Sequence, residues 1–129
     1  MTEKTTKSFA ARANDAQWTR DGLRPYLAYR DLGIKNATQG KVLAQIIRAA
    51  QPCGGPMGYH SHALDFQMVY MIRGWARIVL EDIGEIRLEV GDAFYQAPGV
   101  KHEVLEHSDD WEVMEITLPA EFETRDESR

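Results

Sequence analysis

The sequence predicts an all-β fold in a single domain, a closed barrel or a sandwich of sheets. Short segments of strand-forming residues recur at near-even spacing. The breaks between them hold turn chemistry: Arg73-Gly74, Asp82-Ile83-Gly84, Gly91-Asp92, Pro98-Gly99 and Ser108-Asp109-Asp110. No apolar repeat of 3.6 residues is sustained anywhere, which argues against a helical domain. A length of 129 residues suits one real core and is too short for two.

Taken in order, residues 1–20 are polar and mixed in charge, and read as a loosely ordered segment or as an N-terminal arm laid against a partner. The barrel is expected over 21–119, with strands at 24–31, 41–49, 66–72, 75–81, 85–90, 93–97, 102–106 and 111–118. The stretch Gln51 to Tyr59 is a Gly/Pro-rich loop that runs straight into His60. In 66–72 the alternation sends Gln67, Val69 and Met71 to one face, and Phe66, Met68, Tyr70 and Ile72 to the other. Residues 120–129 are acidic and polar and read as a frayed tail.

Composition narrows the function classes. The net charge is −5, the pI is near 5.3 and no block of Lys or Arg appears. A nucleic-acid partner or an anionic membrane surface therefore lacks its electrostatic footprint. The longest apolar runs, such as Met68 to Ile72, fall far short of the roughly 20 residues of a membrane span. Met1 to Lys7 holds no apolar signal core, and the single cysteine, Cys53, cannot form an internal disulfide. A cytoplasmic setting and a small-molecule substrate or ligand are the expectation.

Three of the four histidines form one constellation: His60-Ser61-His62 and His102. In a strand, residues i and i+2 share a face about 6.6–6.8 Å apart, so His60 and His62 point the same way. Such positions usually carry Val or Ile. Imidazole is the commonest protein metal ligand, and three of them suit one divalent ion such as Fe, Zn, Ni, Cu or Mn. Gln67 on the same barrel needs a hydrogen-bonding partner or a metal for its amide oxygen. As a neutral ligand it leaves the full charge of the ion in place, which favours an anionic substrate or a bound hydroxide. His107, in a Ser-Asp-Asp turn, reads as a surface or satisfied core residue.

These residues resemble the two motifs of the cupin superfamily. In the first motif a Gly precedes His-X-His by five residues, and a Glu and a second Gly follow. Gly54, His60, His62 and Gly74 keep that spacing, with Gln67 in the Glu position. In the second, Gly91, Gly99 and His102 match, while Ala97 replaces a Pro and Glu106 replaces an Asn. The resemblance covers residues 42 to 118 and implies a double-stranded β-helix, the jelly-roll barrel of small single-domain cupins. It implies His60, His62 and His102 as ligands of one divalent metal ion (Fe, Zn, Ni or Mn), with Gln67 in the fourth position near one open end. It also implies a homodimer, for which segment 8–20 is the candidate exchanged arm.

A fold does not fix a reaction. The leading expectation is a mononuclear non-haem metal dioxygenase acting on a small oxygen-rich molecule of the diketone, enediol or phenol type. The alternatives are a redox-free Zn or Ni cyclase, isomerase or lyase, and a non-catalytic metal-stabilised barrel that binds a small ligand. Gln67 cannot act as a general base. Glu106 has the parity to face inward and is the tentative catalytic carboxylate beside Gln67, although a solvated rim position suits it better. Cys53 is expected as a small half-buried thiol, and Met57, Met68, Met71 and Met114 as lining of an apolar cavity or core. Trp75, Phe94, Tyr95 and Trp111, like Tyr59 and Tyr70, are read as packing residues.

Overall fold

The computed structural model describes residues 7–20 and 26–128. Residues 1–6 of the expected arm and 24–25 of the first expected strand lie outside these. Ten strands follow in order: β1 (Leu27–Asp31), β2 (Leu43–Ala49), β3 (His60–Ala63), β4 (Phe66–Arg73), β5 (Ala76–Leu80), β6 (Gly84–Leu88), β7 (Ala93–Tyr95), β8 (His102–His107), β9 (Glu112–Leu118) and β10 (Glu123–Asp126). A 3₁₀ turn at Ala13–Asp15 and a single helical turn, α1 (Ile34–Ala37), complete the described elements. Among the described residues no helix is long and apolar enough to cross a membrane.

The strands form two five-stranded sheets in the orders β1-β2-β9-β4-β7 and β10-β3-β8-β5-β6, every pair antiparallel. This is the expected all-β jelly-roll. The alternation in β4 is as read from the sequence: Gln67, Val69 and Met71 are buried, and Tyr70 and Ile72 are exposed. In β5, Ala76, Ile78 and Leu80 point inward. Together with Leu27, Ile47, Met57, Leu88, Trp111 and Val113 they make one core between the sheets.

Two departures bear on function. The residues expected to fray include β10, which pairs antiparallel with β3 along Glu123–Asp126. Apolar periodicity gives no sign of Glu-Thr-Arg-Asp as a strand, because its order comes from backbone pairing along β3. Glu127 extends that pairing: its side-chain carboxylate accepts the Ser61 hydroxyl at 2.7 Å, and its backbone amide donates to the Tyr59 carbonyl at 2.9 Å. The second departure is a bulge in β8. Arg77 pairs with Glu106 and Ile78 with Val104, which leaves Leu105 as the extra residue. Beyond it the inward and outward positions exchange, so Glu106 faces solvent and His107 turns in.

The described part of the N-terminal arm lies on its own barrel. Thr19 bridges to Tyr29, the Arg48 guanidinium stacks 3.7 Å over the Trp18 ring, and Arg30 donates to the Ala11 carbonyl at 3.3 Å.

Gly74, the last position of the first motif, has a physical reason to be glycine. Its φ is +76°, and a Cβ there would collide with Ser108 Oγ and meet the Trp111 Cα at 3.1 Å. The same Ser108 hydroxyl accepts the Trp75 amide at 2.9 Å. Gly74→Ala is therefore expected to lower unfolding free energy by more than about 1 kcal/mol. Met71→Ala, at a fully buried site, is expected to cost about 2–5 kcal/mol. Urea titration of both variants checks this, and unchanged midpoints would contradict the packing described.

Candidate metal centre

β3 and β8 bring the histidines together. His60 pairs directly with His102 across the two strands, and His62 follows on the same face of β3. Ring centroids are 4.2 Å apart for His60 and His102, and 4.9 Å for each pair involving His62. All three rings are buried. One ligand atom from each lies within 4.8 Å of the other two. Metal–nitrogen bonds of about 2.0–2.1 Å bridge such separations after a small inward turn of the rings.

Each ring is oriented from behind. His60 Nδ1 is 2.8 Å from the Gly58 carbonyl, and His102 Nδ1 is 3.0 Å from the Val100 carbonyl. A carbonyl oxygen only accepts, so both Nδ1 atoms carry the proton and Nε2 presents the lone pair. His62 Nδ1 meets the Thr124 hydroxyl at 2.8 Å, and the same tautomer follows when it donates there. Such partners fix ring orientation and raise ligand basicity. The Gly58 amide in turn donates to the buried Glu103 carboxylate at 2.9 Å, which ties the Gly-rich loop to β8. The donor set fits a borderline divalent ion.

A strip of polar side chains leads away from the histidines. The Gln96 amide nitrogen lies 2.8 and 2.9 Å from the two ring nitrogens of His102 and donates to Gln67 Oε1 at 3.3 Å. Gln67 donates to Glu115 Oε2 at 2.9 Å, and Gln45 donates to Glu115 Oε1 at 2.9 Å. Gln67 is thus beside the trio with both ends of its amide engaged. A fourth-ligand role requires its oxygen to exchange Gln96 for the ion. Burial pushes the Glu115 carboxyl above the usual carboxylate range, and the two amide donors offset only part of that rise. By surface area Glu115 is half-buried, its remaining exposure being to the cavity it lines.

The cavity has a volume of about 640 Å³, within the roughly 300–1,000 Å³ common for small-molecule sites. The histidines and the Gln96–Gln67–Glu115 strip are part of its polar lining, to which Asp31 and Glu121 add two further carboxylates, and Leu27, Ile47, Val69, Ile78, Phe94 and Val113 are among its apolar lining. Among the described lining residues there is no Lys or Arg.

Several expected residues lie elsewhere. Glu106, the tentative catalytic carboxylate, is corrected: it is on the outer surface, where Arg77 donates to it at 3.2 Å, because the Leu105 bulge reverses the parity. Cys53 is half-buried in a separate surface depression beside Arg77 and Glu106. Of the methionines, Met57 lines the cavity and Met71 is in the core. Trp75 lies under the Arg87 guanidinium at 4.4 Å, and Tyr70 and Tyr95 are exposed. His107 is a satisfied core residue: its Nδ1–H donates to the Ser108 carbonyl at 2.8 Å and its ring stacks on Trp111. Sequence reasoning missed Glu115, Gln96 and Thr124. The signal for Glu115 was available: it shares the inward parity of Val113 and Thr117, where a carboxylate is out of place.

No family model and no curated protein matches the chain. Solved structures do. The polyketide cyclase RemF from Streptomyces resistomycificus aligns with a TM-score of 0.75 at 16% identity, over 95% of this chain and 87% of that one. KdgF from Halomonas sp. aligns with a TM-score of 0.70 at 22% identity, over 88% and 94%. Oxalate decarboxylase of Bacillus subtilis aligns with a TM-score of 0.70 at 18% identity, over 98% of this chain but only 34% of that one. All three are cupin-fold proteins. At these identities the likeness speaks for architecture alone, and the architecture of this chain is the cupin jelly-roll.

Proposed function

We propose that this chain is a metal-dependent enzyme that carries out a redox-neutral reaction on a small neutral substrate bearing a carbonyl or phenolic oxygen. Lyase, isomerase or cyclase chemistry, begun by proton removal next to a carbonyl, is the class. The observation that carries this reading is Glu115, a carboxyl inside an apolar cavity, joined through Gln67 to the histidine trio. From sequence a dioxygenase stands first, with no base in view. Glu115 supplies that base and moves the redox-free reading ahead.

His60, His62 and His102 would hold the ion through Nε2. Bound there, a divalent ion supplies a Lewis acid for a substrate oxygen. Glu115 accepts the proton: its raised pKa brings its basicity closer to neutral pH, where general bases work best. Gln67 and Gln45 hold the carboxylate in place, each through one amide N–H. Apart from the ion itself, no Lys or Arg among the described lining residues could pair a second charge, so away from the histidines a neutral group suits the cavity better than a free carboxylate or phosphate. A polyketide cyclase among the structural neighbours supports the same class. On the outer face of the first sheet, exposed Tyr70, Ile72, Tyr95 and Leu118 support a homodimer joined there. The lone Cys53 fits a cytoplasmic setting.

His60→Ala or His102→Ala is expected to lose the ion on dialysis, as read by elemental analysis, whereas Gln67→Ala retains it at reduced affinity. Thr124→Val is expected to weaken metal binding about 10–100-fold by freeing the His62 ring. Full occupancy in the His102 variant would remove that residue from the ligand set.

With Zn(II) and a panel of small cyclic diketones and phenols, turnover is expected under anaerobic conditions. Glu115→Gln is expected to lower kcat about 10²–10⁴-fold at unchanged metal content. Only the ionised carboxylate accepts a proton, so kcat/KM rises as pH climbs through a pKa displaced above the ordinary 4.5 of glutamate. That limb disappears in the Glu115 variant. Substrate loss that strictly consumes O₂ would overturn the proposal in favour of the dioxygenase.

A further inference from the structure

Gln96 follows β7 and sits beside Gln67. Its backbone amide donates to the Gln67 carbonyl at 3.1 Å, which carries the β7–β4 pairing one step further and sets the two side chains next to each other. Strand alternation holds across 94–96: Phe94 lines the cavity, Tyr95 is exposed, and Gln96 lines the cavity again at 5% exposure. An inward position of this kind ordinarily carries an apolar residue, so the amide calls for an explanation.

The direction of that amide is fixed from the carboxylate end of the strip. Glu115, when ionised, only accepts, so Gln67 gives it a nitrogen and turns its Oε1 toward Gln96. Gln96 then presents its own nitrogen, and one N–H goes to Gln67 Oε1 at 3.3 Å. The same nitrogen lies 2.8 and 2.9 Å from the two ring nitrogens of His102. His102 is no lasting acceptor for the second N–H. Its Nδ1 carries the proton donated to the Val100 carbonyl, and its Nε2 lone pair is the one that an ion takes. With an ion in place, the second N–H has no other acceptor among the described residues. A buried donor left so costs about 1–3 kcal/mol. It stands beside a ligand atom that binds the ion at about 2.0–2.1 Å, where further groups join that ion.

We propose that the Gln96 side-chain N–H donates to the substrate oxygen that approaches the ion and stabilises the charge that collects on it. This rests on the reading of the site as one for proton removal next to a carbonyl, and deepens it by naming the donor. As Glu115 takes the proton, the C–H electron pair forms a carbon–carbon double bond and the carbonyl π pair moves onto oxygen. A fixed donor at that oxygen holds the charged state more strongly than the neutral one. Gln67 joins this donor to the base, so one hydrogen-bonded strip positions both.

Zn(II)-loaded protein is titrated by NMR with maltol, which chelates through a carbonyl and an ionised hydroxyl oxygen. A separate titration uses imidazole, which keeps no acceptor once its lone pair is on the ion. The Gln96 side-chain N–H proton, assigned through its own backbone, is expected to move downfield with maltol and not with imidazole. Gln96→Leu, close in shape, is expected to bind maltol about tenfold more weakly and to change imidazole affinity by less than about threefold. Its Zn(II) affinity is expected to stay level or rise, whereas loss of a group that merely orients His102 would weaken it about 10–100-fold. For any cyclic diketone that the wild type turns over, the variant is expected to lower kcat about 10²–10³-fold. The wild-type resonance decides the matter if the variant does not fold. An unmoved Gln96 proton with maltol bound, equal maltol affinities, an unchanged kcat, or a 10–100-fold loss of Zn(II) affinity would overturn the inference while the wider functional reading stands. If maltol does not bind and no diketone is turned over, that wider reading fails, and the inference falls with it.

Discussion

The site depends on one cross-strand pair. His60 and His102 face each other where β3 meets β8, and this is the single residue pair that joins those two strands in register. A slip of one residue on either strand would send an imidazole to the opposite face of the sheet. So thin a ladder needs support from both sides. β10 supplies it on one edge of β3, and β5 pairs with β8 along His102 to His107 on the other. The Gly58 carbonyl on His60 and the Val100 carbonyl on His102 then set the rings within that register. Backbone geometry thus selects the nitrogen that faces the centre.

The polar strip from His102 to Gln45 is a second constraint, because it crosses a largely apolar enclosure. Inside a protein a connected chain of hydrogen bonds is stable, whereas a broken one is costly. Each amide in the strip uses its nitrogen as donor toward the next group, and Glu115 closes the series by accepting from two sides. A Glu in place of Gln67 would have put two carboxylates against each other. The glutamine therefore does more than it would for the charge of a bound ion: it makes a carboxyl at position 115 tolerable on the cavity wall.

Much of this was legible in the sequence. The His-Ser-His spacing, the separation to His102 and the alternation through Gln67, Val69 and Met71 each depend on the two-residue period of a strand, and that period is local. What failed was non-local. Glu106 has inward parity only if β8 is regular, and the extra residue at Leu105 is defined by the pairing with β5, which no single strand reveals. The strand Glu123–Asp126 carries no apolar alternation, because its order comes from backbone pairing with β3. Glu115 is the instructive omission. Its strand was read correctly, but a carboxylate in an inward position is informative only when the face is worked out residue by residue. Trp111 was read as packing, and its packing is real.

The hydroxyl of Thr124 has a consequence for biogenesis. During translation a chain emerges from its amino end, so all three imidazoles are made before the residue that orients the middle one. Until β10 docks on β3 the His62 ring lacks that anchor, so an ion held by a trio gathered without this strand would be bound weakly and exchangeably.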